Sequence, residues 1–213
     1  MVRRIDRDRI GVLVIDVQPF FMDVAFPDGG QIHDSLMVRL EHLLMLADWM
    51  DLPTIATFEI PTAENGELPD RLDDVFPTAG LRIEKDYYGS MSQAGVPEAV
   101  GGLGVEQIAV AGAETDVCVL QTVLGLLDAG YEVFLLEDCL FTTEPEPAPA
   151  LRRMYAAGAV PCTLKTMAYE LTRCVGDTPW YPEGWVATSD PDTKPFPPGF
   201  AVPEKWPPWE SKL

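Results

Sequence analysis

The sequence predicts a three-layer α/β domain, a parallel sheet covered by helices on both faces. Short apolar runs alternate strictly with segments of helical period, and the connections are long enough for right-handed crossovers. The chain has 213 residues, of which 47% are hydrophobic and 23% charged. That suffices for one well-buried domain and is too short for two of ordinary size.

Ile10–Val17 is apolar up to Asp16 and is bounded by Pro19, so it reads as a central strand. Phe20–Gly30 reads as a loop, punctuated by Pro27, Gly29 and Gly30. From Gln31 to about Asp51, Leu36, Leu40, Leu43, Leu44 and Ala47 recur at helical spacing, with Asp34 or Ser35 as candidate caps. Pro53–Phe58 is the second strand. Glu59–Gly80 is a long polar loop with short helical pieces, and loops of this length in compact domains are often functional. Leu81–Lys85 is the third strand, followed by the irregular DYYGSM segment and a helix near Gln93–Leu103. Glu106–Gly112 is the fourth strand, and a helix runs from about Val117 to Ala129 with Gly130 as its stop. Tyr131–Leu136, a helix over Ala148–Ala157 and Val160–Leu164 complete a six-strand pattern. There is no internal repeat.

Composition changes after Gly176. Residues 177–213 hold nine prolines and four of the five tryptophans. Proline at this density excludes helix and central strand, while the aromatics favour an extended arm packed on the body or on a neighbouring subunit. The expected division is therefore a domain over 1–176 and an arm over 177–213.

The formal charge of −19 argues against nucleic-acid partners, which need clustered Lys and Arg, and against anionic membranes. MVRRIDRDRI is polar, and the apolar run after it is far short of a membrane span. Cys118, Cys139, Cys162 and Cys174 show neither C-x-x-C spacing nor zinc-type pairing with histidine. Reduced thiols in a cytoplasmic protein are expected.

The chemistry collects at strand ends. Asp16, Lys85 and Cys118 follow the runs IGVLVID, LRIEK and EQIAVAGAETDVC. Parallel α/β sheets bind ligands at that edge, and an acid, a base and a thiol there form a minimal kit for nucleophilic amide hydrolysis. Cys118 falls in the first turn of a helix, where unpaired N–H groups and the helix dipole should lower its pKa. Thr115 or Asp116 can cap that helix. Taken singly, each residue also has a bland reading: a small buried thiol, a loop-capping aspartate and an exposed strand-end lysine. No G-x-G-x-x-G follows the first strand, no P-loop motif occurs, and Gln18 stands where an Asp-x-Asp phosphatase needs its second aspartate. Cys139 is a possible redox partner but has no recognised spacing.

The segments VLVIDVQPFF (12–21), IEKDYYGSM (83–91) and VAGAETDVCVLQTVLGLLDAGYEV (110–133) resemble the isochorismatase-like cysteine hydrolase superfamily, over roughly residues 8–172. The resemblance implies strand order 3-2-1-4-5-6 and an Asp16–Lys85–Cys118 triad. It also implies a cis peptide between Ala113 and Glu114, and an oxyanion hole from the Glu114 and Cys118 N–H groups. Phe21 would line the substrate pocket, with Phe58, Tyr87 and Tyr88 as weaker candidates. The activity implied is hydrolysis of a small amide or ureido carbon–nitrogen bond through a thioester, with no cofactor and in a homo-oligomer. Alternatives are isochorismatase-type vinyl-ether cleavage and a non-catalytic binding protein. Metal-dependent nicotinamidases of this family carry histidines after the second strand, where this chain has ATFEIPTAENGELPDRL and none. His33 and His42 read as helix-surface residues, so no metal is expected.

Overall fold

A computed structural model describes residues 3–173. The 177–213 arm and Cys174 lie outside the described residues. The strands are β1 (Ile10–Ile15), β2 (Thr54–Glu59), β3 (Leu81–Lys85), β4 (Gln107–Gly112), β5 (Glu132–Leu140) and β6 (Val160–Cys162). They form one six-stranded sheet in the order β3-β2-β1-β4-β5-β6, with every pairing parallel. The helices are α1 (Pro19–Ala25), α2 (Gln31–Trp49), α3 (Thr62–Asn65), α4 (Asp70–Asp73), α5 (Val96–Gly102), α6 (Leu120–Asp128), α7 (Ala148–Ala157) and α8 (Leu164–Thr172).

Each sheet face carries its own core. On one side Val12, Val14, Ala56 and Phe58 meet Met22 of α1, Leu40, Leu43 and Leu44 of α2 and Met167 of α8. On the other, Leu13, Ile15 and Ile55 meet Val96 of α5, Val123 and Leu126 of α6 and Met154 of α7. Central β1 is buried at every position, as a strand covered on both faces must be, and this explains its unbroken apolar sequence.

Several elements differ from expectation: the loop expected over Phe20–Gly30 is helical through Ala25, and β5 runs on to Leu140. Pro19 opens α1 at its first position instead of breaking the chain, because its missing N–H and fixed φ suit the first helical turn. The α2 helix begins at Gln31 after Gly30, so Asp34 lies inside its first turn and is not the cap. Strand β6 stops at Cys162, and α8 follows from Thr163, whose hydroxyl accepts the Thr166 N–H at 3.1 Å. The 59–80 segment does contain the short helices α3 and α4.

Sheet order reverses at β1, whose neighbours are β2 and β4, and parallel α/β sheets bind ligands beyond the carboxyl ends at such a point. The two strands approach closely at Gly112. A Cβ on this residue would lie 2.0 Å from the Ile15 carbonyl oxygen, and its φ of +114° also favours glycine.

Candidate active site

Asp16 directly follows β1 and adopts a φ of +49°, a left-handed conformation that aspartate tolerates better than most residues. Its N–H donates to the Thr57 carbonyl at 3.0 Å, and its Oδ1 accepts the Thr57 hydroxyl at 3.0 Å. Lys85, at the end of β3, reaches across β2 and places Nζ 2.6 Å from Asp16 Oδ2. The lysine side chain has no solvent exposure, and this ion pair is the main compensation for the burial of the two atoms.

Cys118 comes from the opposite side of the switch point, in a π turn at Thr115–Val119 that leads into α6. Such turns recur at functional sites because they displace a side chain from the regular helical path. The peptide bond between Ala113 and Glu114 is cis. Thr115 and Asp116 do not cap the turn through their side chains. The Thr115 hydroxyl donates to the Phe141 carbonyl at 3.0 Å, and Asp116 accepts the Thr142 hydroxyl at 2.6 Å. Both tie the turn to the segment following β5.

The structure adds Glu59, which the sequence reading passed over as loop. It ends β2 in register with Lys85. Its Oε2 accepts the Cys118 thiol at 3.5 Å and lies 4.0 Å from Lys85 Nζ. The i, i+2 relation to Thr57 was the available signal, since alternate strand residues share a face. Asp16, Glu59 and Cys118 offer ligand atoms within 4.8 Å of one another, a possible metal cluster by chemistry alone. The Lys85 ammonium already holds the cationic position beside both carboxylates, so this set does not fit a divalent ion.

Burial sets the proton affinities. It pushes Asp16 up to about 6, and the Lys85 charge only partly offsets it. Burial also pushes the Cys118 thiol well up, reinforced by the negative charge of Asp16 and opposed by Lys85. This corrects the expected lowering at a helix start: desolvation and two nearby carboxylates outweigh the turn's N–H groups.

The aromatic candidates separate. Phe58 is buried in the core on the sheet face away from Glu59 and does not line the site. Phe21 lies on α1, partly buried against the core and edge-on to the exposed Phe20. Tyr87 and Tyr88 are exposed in the segment after Lys85. His42 is buried, not on the surface, and burial with the nearby Arg71 charge pushes it down to about 4. Among the described residues neither histidine belongs to the metal-type cluster. A separate cleft of about 390 Å³ opens at the amino edge of the sheet beside Arg7, Met50 and Asp51, and no thiol lines it.

Residues 11–166 match the Isochorismatase domain family. The probable hydrolase YcaC of Escherichia coli is 29% identical over 80% of this chain and 81% of its own length. Isochorismatase family protein 1B of Dictyostelium discoideum is 26% identical over 76% of this chain and 78% of its own. Among solved structures, YcaC from Pseudomonas aeruginosa, with hexane-2,5-diol and covalent acrylamide, superposes with a TM-score of 0.80 at 26% identity, covering 91% of this chain and 95% of that one. The E. coli YcaC structure, an octameric hydrolase of unknown specificity, gives 0.77 at 28% identity over 91% and 94%. With the family matched across the whole described sheet, this chain belongs to the isochorismatase family of hydrolases.

Proposed function

We propose that the protein hydrolyses a small amide or ureido carbon–nitrogen bond, with Cys118 as nucleophile, Asp16 as proton carrier and Lys85 as the fixed cation between them. The observation that carries this reading is the buried 2.6 Å Asp16–Lys85 pair set beside a thiol. A carboxylate near 6 is ionised at neutral pH yet basic enough to accept a proton.

The thiol proton passes to Asp16 as the Sγ–carbon bond forms, and the Glu114 and Cys118 N–H groups hold the oxyanion. Collapse of this intermediate breaks the carbon–nitrogen bond, with Asp16 returning the proton to the leaving nitrogen. Water then attacks the thioester and gives a proton to Asp16. Breaking the carbon–sulfur bond releases the acid, and the thiol recovers its proton from Asp16. No step passes through a metal or cofactor.

Such a thiol persists in a reducing compartment, which supports a cytoplasmic location. No helix among the described residues is long and apolar enough to cross a membrane. The octameric state of E. coli YcaC, together with exposed Phe20, Val24, Ile60, Tyr87 and Tyr88, supports a homo-oligomer. We assign the catalytic domain to residues 1–176; residues 177–213 lie outside the described residues.

Ammonia release from a panel of small primary amides and ureas, with and without Cys118→Ala, tests the reading. Expected is release by the wild type that the variant loses. Turnover of a vinyl ether surviving Cys118→Ala would instead establish isochorismatase-type chemistry. No turnover of either class, together with tight binding of a partner, would point to a binding protein.

A further inference from the structure

The backbone of Glu59 is held by two side chains, yet the proposed reaction gives the residue no part. Its backbone N–H donates to Gln18 Oε1 at 2.7 Å, while its carbonyl accepts from Gln18 Nε2 at 3.1 Å and Asn65 Nδ2 at 3.0 Å. Gln18 is itself fully buried and also donates to the Gly66 carbonyl at 2.6 Å. The end of β2 is thus clamped from two sides, which fixes where its side chain begins. That side chain retains 22% exposure beside Lys85 at 0% and Asp16 at 1%, so it marks the solvent side of the buried cluster.

Charge at the sulfur follows from this placement. Asp16, Lys85 and Glu59 act most directly on Cys118, two acids against one base. Lys85 sits against Asp16 at 2.6 Å and stands off from Glu59 at 4.0 Å, so the outer carboxylate is the less neutralised of the two. A molecule that reaches Sγ comes close to this carboxylate, whose Oε2 lies 3.5 Å from the sulfur. As the thiol proton passes to Asp16, the Glu59 oxygen loses its hydrogen bond from the thiol and becomes free to accept an N–H from the incoming molecule.

We propose that Glu59 is a specificity-determining residue, whose carboxylate accepts N–H groups of a neutral or cationic amide, ureido or amidine substrate and turns away substrates carrying a carboxylate near the scissile bond. The proposal rests on Cys118 being the attacking group. Its first test needs no turnover, so the two can fail separately.

Alkylation of Cys118 by iodoacetamide and by iodoacetate forms the same Sγ–carbon bond and expels iodide, and the two reagents differ by one negative charge. Peptide mass spectrometry follows Cys118, with Cys139 and Cys162 reporting any unfolding, and rates are divided by those of N-acetylcysteine. Expected is an iodoacetate-to-iodoacetamide ratio about tenfold below the reference thiol in the wild type, restored by Glu59→Gln and kept low by Glu59→Asp. In turnover, the kcat/KM ratio for succinamate over butyramide should rise by about the same factor in Glu59→Gln. Equal ratios in wild type and Glu59→Gln, or no alkylation of Cys118 by either reagent, would overturn the proposal. Charge selection without turnover of any amide would sustain the role of Glu59 at the thiol and count against the amidase reading.

Discussion

Among the described residues two acid–base pairs lie beside cysteines, one half-buried and one fully buried, and only the second has the makings of an active site. Arg39 of α2 meets Asp138 of β5 at 2.6 Å, the same separation as Lys85 and Asp16. Cys139 adjoins the first pair much as Cys118 adjoins the second. At Asp138 the other oxygen accepts the Leu164 N–H at 2.9 Å, so the carboxylate fastens the start of α8 and is fully used. Cys139 is completely buried, and burial followed by the Asp138 charge pushes its thiol well up. At Asp16 the second oxygen is held by a hydroxyl, and the neighbouring thiol meets a carboxylate that reaches solvent. Chemistry of the residues is alike; access and the hydrogen bonds left available differ.

The contrast breaks most easily at the cysteines. Cys118→Ala should cut ammonia release by at least about a thousandfold, whereas Cys139→Ala should leave kcat within about twofold. Steady-state kinetics on the two purified variants makes the check. Asp16→Asn should lower kcat by a comparable factor, because the amide cannot accept the thiol proton.

The ion pairs should separate stability from activity. Asp138→Ala frees the half-buried Arg39 to solvent and leaves the Leu164 N–H without its acceptor, so urea unfolding should show a loss of about 1–2 kcal/mol with activity retained below the transition. Lys85→Ala strands Asp16 and should lose both. The double replacement Asp16→Leu, Lys85→Met should regain most of the stability and none of the activity, since a buried pair contributes little net free energy once both charges are gone. Finally, kcat/KM should rise as pH increases through about 6 and then level off, because Asp16 must be ionised to act as a base and its pKa is raised to that value. A flat profile from pH 5 to 8 would remove Asp16 from the proton path.

Most of the fold was legible because it rests on pattern. The buried runs at β1 and β4 and the alternation with helices specify a parallel sheet, and strand ends then place Asp16, Lys85 and Cys118 on one edge. What escaped depends on context. Pro19 breaks a helix interior but suits its first position, and sequence alone does not say which applies. Glu59 looked like loop because β2 extends one residue further than its apolar run, held there by the Gln18 side chain. The pKa of Cys118 went the other way because turn geometry can be inferred locally, while burial by distant strands cannot.

The central claim, that Cys118 carries the acyl group, is met most directly by quenching the enzyme in acid during amide turnover and mapping its cysteine peptides by mass. Expected is a Cys118 peptide heavier by the amide minus ammonia, with the Cys139 and Cys162 peptides unchanged. Continued turnover with every cysteine unmodified, and undiminished in Cys118→Ala, would contradict it.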